Sequence, residues 1–292
     1  MNALSIVNNV VSLVSYNMHK TRLSAVTACV KSLLNGSAAT VTSIGRGIKT
    51  KAFEKHRIKR AGRLLSNPHL VSETPLIYAS ICQLFCGNTT RPVISIDWSD
   101  LDDRKAHFLL RAAISLKGRP VTLYQEVHCN KTKEKPATHK AFLKTLHAML
   151  PSNCRPIIVT DAGYKSPWFR AVRALGWDII GRIRKPHFYS LDRGDTWQCI
   201  RYLYTQATCR PKRFDNSQIV RSNPFACTLV LFKQKSKGRH ASNPDGTRKA
   251  SKRSKAHAQG AKDPWLLATT LASHRSLSKQ VVAIYRQRMQ IE

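Results

Sequence analysis

Residues 156–169 read PIIVTDAGYKSPWF. The run Ile157–Thr160 is short, apolar and β-branched, the pattern of a strand buried on both faces of a parallel sheet. Asp161 closes it, and Ala162-Gly163 leave room beside that carboxylate for another backbone to approach. Ser166 and Pro167 then open a helix, with proline in the first turn and Gly176 as its stop. An acid at the carboxyl end of such a strand stands where α/β sheets place their sites.

Working outward, RPVISIDWSD (91–100) is a second strand-like run, with Asp97 inside it. Asp100, Asp102 and Asp103 follow that strand and suit loop or cap roles. HFLLRAAISLKG and RPVTLYQEVH read as a hairpin around Lys117-Gly118-Arg119-Pro120. THKAFLKTLHAMLP has helical period, with Phe142, Leu143, Leu146, Met149 and Leu150 inward, and WDIIGRIRK is another strand. Three strands, helix, strand, helix, strand is the order of a ribonuclease H-like α/β core, a mixed sheet whose first and fourth strands lie side by side.

The chain is expected to divide into a helical segment 1–88, a first part of the core 89–190, an insertion 191–262 and the end of the core 263–292. In the insertion, DTWQCIRYLYTQATCR and FACTLVLFKQK are expected to be strands, making it mostly β. Residues 233–262 carry ten Lys and Arg against one acid, a basic loop that orders on a polyanion if at all. DPWLLATTL resumes the core as a strand, and Ser276 or Ser278 caps a final helix. Helical spacing puts Tyr285, Arg288 and Glu292 on one face of it.

In residues 1–88, TRLSAVTACVKSLLNG spaces Val26, Cys29, Val30, Leu33 and Leu34 as an apolar stripe stopped by Asn35-Gly36. Thr40 caps a short helix in TVTSIGRGI. The next helix sets Ile58, Ala61, Leu64 and Leu65 inward and stops near Asn67-Pro68. Its other face carries Lys51, Lys55, Lys59 and Arg63, with His56, Arg57 and Arg60 close by. A basic helix after a short helix and a glycine-containing turn has the outline of a DNA-binding helix-turn-helix.

Forty-nine Lys and Arg face 16 Asp and Glu over 292 residues, a formal charge of +33. Such an excess, spread along the chain, calls for a polyanionic partner, and nucleic acid is the natural one. A ribosome-like or merely soluble basic protein is the plainer alternative. The eight cysteines include no CxxC pair and no zinc-like spacing, so they read as reduced, mostly buried thiols of a cytoplasmic protein. The N-terminus lacks the features of a signal peptide, and no run approaches the ~20 apolar residues of a membrane span.

Asp97, Asp161 and Glu292 are thus candidate catalytic and metal-binding carboxylates. Two Mg²⁺ ions held ~3.5–4 Å apart by hard oxygen ligands can activate an attacking oxygen and stabilise a leaving one at phosphorus. Singly, each acid has an ordinary reading as a cap, turn or ion-pair residue. Their placement on three core elements of a basic chain with few acids favours the catalytic one.

The segments IDWSD, VTDAGYKSPWF and YRQRMQIE, with GRGIKTKAFEKHRIKRAGRLLSN, resemble the DDE transposases of bacterial insertion sequences, in the insertion-sequence-four family. That family's signature is Tyr, two residues, Arg, three residues, Glu, six residues, Lys. Tyr285, Arg288 and Glu292 fit it, and the lysine would fall seven positions beyond Glu292. The resemblance implies cut-and-paste transposition: Mg²⁺-dependent (Mn²⁺ could substitute) hydrolysis at the element's ends, hairpin formation and opening, and strand transfer into target DNA. It implies that Tyr285 and Arg288 hold the DNA backbone and that a flipped base stacks on Trp265. It also implies a homodimeric synaptic complex on double-stranded DNA, nucleoid-associated in a bacterial cytoplasm.

The family continues for about another hundred residues, so the chain is expected to be a truncated copy that binds DNA ends but cleaves weakly or not at all. The alternatives are a non-catalytic DNA-binding fragment competing with full-length enzyme, and a ribonuclease H-like nuclease.

Overall fold

The β-branched runs around the two aspartates become neighbouring strands in the computed structural model. It describes residues 3–14, 18–116, 119–184, 187–234 and 263–291, together with 245–247, 250–251 and 254. These fall into two compact units, one within Met1–Thr90 and Leu146–Cys154, the other within Arg91–Thr145 and Arg155–Glu292.

The first unit holds helices α1 (Ala3–Val14), α2 (Lys20–Leu34), α3 (Val41–Gly47), α4 (Glu54–Leu65) and α5 (Pro68–Cys86). Thr40 caps α3 as its sequence predicts, accepting from the Ser43 amide at 3.2 Å. Asn35 ends α2 and Gly36 follows at φ +94°. Asn67, read only as a stop, also starts α5, its side chain accepting from the His69 amide at 3.0 Å. Cys29, Ile44, Ile48, Ala61 and Leu64 form the shared core of α2, α3 and α4.

Three leucines expected inside are exposed, Leu33 by 39%, Leu34 by 46% and Leu65 by 62%. The buried stripe of α2 instead runs through Cys29 and Ser32. Ser32 Oγ donates to the Ile44 carbonyl at 2.8 Å, so a polar contact replaces the expected apolar one. Buried Glu73 of α5 is held by Arg22 of α2 through Nε at 3.0 Å.

From Arg91 on, β1 (Val93–Asp100), β2 (His107–Ser115), β3 (Pro120–Cys129), α6 (Pro136–Met149, whose end from Leu146 belongs to the first unit), β4 (Ile157–Thr160), α7 (Ser166–Ala174) and β5 (Asp178–Ile183) follow one another as expected. Gly176, at φ +71°, stops α7 where a side chain would be strained. The β1 and β2 strands pair antiparallel, as do β2 and β3, whereas β1 and β4 run parallel with Ile96 opposite Thr160. Lys117 and Gly118, at the expected hairpin turn, lie outside the described residues.

Beyond β5 come β6 (Phe188–Ser190), β7 (Gln198–Cys199), α8 (Ile200–Tyr204), β8 (Lys212–Ile219), β9 (Phe225–Phe232), β10 (Trp265–Thr269) and α9 (Leu277–Gln287). The segment 200–204, expected as strand, is helical, with Ile200 and Leu203 buried three residues apart and Tyr202 exposed. The strands of the insertion extend the core sheet. Among the described residues ten strands form one sheet in the order β3-β2-β1-β4-β5-β10-β9-β8-β6-β7. Most of the basic stretch 233–262 lies outside the described residues.

Four of the eight cysteines are buried, while Cys129 and Cys209 are exposed. Burial, with Cys154 beside them, pushes the Cys82 and Cys86 thiols up to about 12. No helix among the described residues is long and apolar enough to cross a membrane.

Candidate active site

The parallel register of β1 and β4 sets the site. Ile96 faces Thr160, so the next step along each strand brings Asp97 level with Asp161. Adjacent strands stand about 4.8 Å apart, so the two carboxylates rise from one row. Side chains alternate, and this row shares its face with Val93, Ile157 and Val159, which pack with Val281, Val282 and Tyr285 of α9.

The row continues on both sides. Arg111 of β2 pairs with Asp97 of β1. Thr160 pairs with Gly181, which brings Arg182 of β5 level with Asp161. Two carboxylates thus sit between two guanidinium-bearing residues on one face. Arg182 donates to the Asp263 carbonyl at 3.2 Å, and burial lowers its pKa. Neither arginine was found by sequence reading. WDIIGRIRK reads only as a strand, and long-range pairing alone shows which of its residues stands beside Asp161.

Arg288 reaches the row from the helix side. A 3₁₀ turn, Arg288–Gln290, follows α9, so the single helical face expected to run from Tyr285 to Glu292 breaks at Arg288. The Arg288 side chain is 7% exposed, and its Nη1 donates to Asp97 Oδ2 at 2.9 Å. Asp97 Oδ1 accepts from the Trp98 amide at 2.9 Å, and Asp161 Oδ1 from the Gly163 amide at 2.8 Å. Glu292 lies outside the described residues. Ser276 stands at the N-cap of α9 without capping it, and its hydroxyl lies 3.2 Å from His274 Nδ1.

Tyr285 and Trp265 are core side chains here, 1% and 6% exposed, with rings 4.9 Å apart at 70°. Phe232 takes another side of Trp265 at 5.7 Å. Stacking a base needs a bare ring face, which Trp265 does not present in this packing.

The opposite face of β1 carries Trp98, whose Nε1 donates to His139 Nε2 at 3.0 Å. His139 stacks on Tyr164 at 5.1 Å, and Tyr164 packs on Trp168 at 4.7 Å. Trp98 and Trp168 are therefore packing residues, and they brace the strand ends bearing Asp97 and Asp161. Asp100, expected to follow the strand, is instead the last residue of β1, opposite Phe108, and pairs with Lys105 at 2.9 Å, while Asp102 in the loop accepts from the His107 amide at 2.8 Å.

Asp97 and Asp161 offer a hard oxygen donor set that fits Mg²⁺ or Mn²⁺. Among the described residues no cluster of three His, Cys, Asp or Glu side chains is poised to hold a metal. Two buried hydroxyls of the adjoining strands, Ser95 Oγ and Thr160 Oγ1, make no hydrogen bond.

In the first unit, α3 and α4 approach so closely that a Cβ on Gly45 would stand 2.5 Å from Ile58 Cα. Lys51, Lys55, His56, Lys59 and Arg63 are exposed, beside Phe53, which is 78% exposed. Arg57 turns inward and donates to the carbonyls of Arg46 at 3.0 Å and Ile48 at 2.8 Å, closing the end of α3. Arg60 donates to Ser24 Oγ at 2.9 Å.

Comparison with known proteins accords with this geometry. No curated protein matches the chain. The sequence model of the transposase DDE domain matches residues 89–292, more than two thirds of the chain and the whole span of the carboxylate-bearing sheet. By that match, the chain belongs to the transposase DDE-domain family.

Proposed function

We propose that the protein cuts and rejoins DNA at the ends of a mobile element of the insertion-sequence-four type, using Asp97, Asp161 and Glu292 as the acidic triad. The observation that carries this reading is the parallel register that sets Asp97 level with Asp161 beneath α9. Asp97 and Asp161 would hold divalent metal, Mg²⁺ or Mn²⁺, with Glu292 completing the set. When bound, the metal makes an attacking oxygen nucleophilic and stabilises the departing oxygen at phosphorus. Water then cleaves the phosphodiester and leaves a 3′-hydroxyl. The same site can use that hydroxyl as the nucleophile of the joining steps.

The arginines have a distinct duty. A scissile phosphate beside two carboxylates is repelled unless cations flank it. Arg111 and Arg182 lie at either side of the carboxylates, and Arg288 stands against Asp97. Arg288 already holds Asp97 Oδ2, so a metal held by Asp97 and Asp161 would compete with it for that carboxylate. Release of that guanidinium would present it to a phosphate, the contact a forked donor makes well. Tyr285, whose ring lies 5.7 Å from that guanidinium, would hold the DNA backbone with it.

The α3–α4 pair is the proposed DNA-end reader. Lys51, Lys55, Lys59 and Arg63 would meet phosphates, with Arg57 and Arg60 holding the helices in place. The working form is proposed to be a homodimer in a synaptic complex on double-stranded DNA.

The test is a cleavage and strand-transfer assay on element-end DNA with Mg²⁺. Asp97→Asn and Asp161→Asn should each abolish cleavage while retaining DNA binding. Cleavage by either variant at near wild-type rate would refute the assignment.

A further inference from the structure

Phe53 is 78% exposed, the barest large apolar side chain among the described residues. A lone apolar residue on a surface is ordinary. Two features set this one apart, the rigidity of its support and the charge around it.

The backbone beneath the ring is pinned from several sides. The Phe53 carbonyl accepts from the His56 amide at 2.9 Å and the Arg57 amide at 3.2 Å, which starts α4. The next residue, Glu54, accepts from Arg46 Nε of α3 at 2.8 Å. One turn on, Arg57 donates to the Ile48 carbonyl at 2.8 Å. The ring itself lies 6.4 Å from His56, tilted by 53°. An aromatic surface is thus held out to solvent on fixed backbone, so little ordering is left for a partner to impose.

The surroundings are cationic. Residues 46–63 carry eight Lys and Arg against one acid, Glu54, and Arg46 holds that acid. Lys49, Lys51, Lys55, Lys59 and Arg63 are exposed. A ring inside such a field fits a polyanion that also offers apolar groups, and DNA is one. Lipid insertion needs an apolar helix face, whereas the row Lys55, Lys59, Arg63 is wholly basic. In a helix-turn-helix, residues at the start of the second helix reach base edges, and Phe53 stands at the start of α4. A phenyl ring has nothing to donate or accept. The apolar group that a base edge offers it in the major groove is the thymine C5 methyl.

We propose that Phe53 is a base-reading residue: its ring packs on the methyl of a thymine in the element-end DNA while the lysines around it hold the flanking phosphates. The assignment rests on the DNA-end reading of α3 and α4 given above.

The experiment is fluorescence anisotropy of the full chain on two labelled duplexes, element-end DNA and a scrambled duplex of the same composition. Phe53→Ala should weaken element-end binding by about tenfold. Its scrambled-duplex affinity, salt slope and denaturation midpoint should match the wild type. Uracil, put in place of each thymine in turn, removes only the methyl. At one position it should cost the wild type a similar factor and cost Phe53→Ala nothing. Equal loss on both duplexes, a flatter salt slope, a lowered midpoint or no such position overturns the assignment. So does weaker binding to phosphatidylglycerol vesicles with element-end binding intact. Lys55→Ala and Lys59→Ala separate the two levels. If they flatten the salt slope and Phe53→Ala binds like the wild type, only the phenylalanine assignment falls. If they keep the wild-type slope, the α3–α4 reading falls and takes Phe53 with it.

Discussion

Arg288 donates to Asp97 across 191 residues of sequence, at 2.9 Å. This contact ties the end of the last helix to the first strand of the sheet, at the oxygen a metal would claim. A guanidinium so placed lowers the local affinity for cations. Arg288→Met should therefore bind Mn²⁺ about tenfold more tightly, a shift of roughly 1.4 kcal/mol, while DNA cleavage is lost. Calorimetric titration beside the cleavage assay checks both, and weaker Mn²⁺ binding would mean that Arg288 supports the metal instead of competing with it.

The close approach of α3 and α4 gives a second expectation. A Cβ at Gly45 would meet Ile58 Cα at 2.5 Å, backbone against which nothing flexible can yield. Gly45→Ala should destabilise the helical unit by about 1–3 kcal/mol and weaken DNA-end binding. Chemical denaturation and gel retardation measure the two effects.

Basic residues of this unit should divide into two kinds. Lys55→Ala, Lys59→Ala and Arg63→Ala should each lower the salt dependence of DNA binding, the slope of log K against log salt falling by about 1 per phosphate contact. Arg57→Ala should instead lower stability, because Arg57 closes the carbonyls of Arg46 and Ile48. Equal salt slopes in all four variants and the wild type would remove α4 from the interface.

His139 makes the fold sensitive to acid. Its Nε2 accepts from Trp98, which needs a neutral ring, and burial, with His128 nearby, lowers its pKa from 6.5 to about 4. The unfolded chain takes up this proton first as pH falls. Stability from this group is therefore complete above about pH 6.5 and declines toward pH 4, by on the order of 3 kcal/mol in all. Denaturation midpoints across that range should fall in the wild type and flatten in His139→Gln.

The strands and their acids were legible because β-branched runs of four to eight residues carry their own signal. VISID and IIVTD gave β1, β4 and both aspartates. The partners of those acids were not legible. Arg111 and Arg182 stand beside them only through pairings between strands distant in sequence, and register leaves no mark on a single segment. The segment 200–204 failed for a different reason: IRYLY is aromatic and apolar enough for strand, and tertiary burial of Ile200 and Leu203 made it a helix. Trp265, which the resemblance makes a stacking platform, packs against Tyr285 and Phe232 in this structure, contacts between segments distant in sequence that its own segment does not announce.

The central claim, that Asp97 and Asp161 share divalent metal, is tested most directly by iron-mediated self-cleavage. Fe²⁺ with ascorbate, replacing Mg²⁺, cuts the backbone beside its own ligands. The account predicts two cuts, one near residue 97 and one near residue 161, both suppressed by excess Mg²⁺ and both lost in Asp161→Asn. Cutting at one of these positions alone, or paired cutting that survives Asp161→Asn, would contradict it.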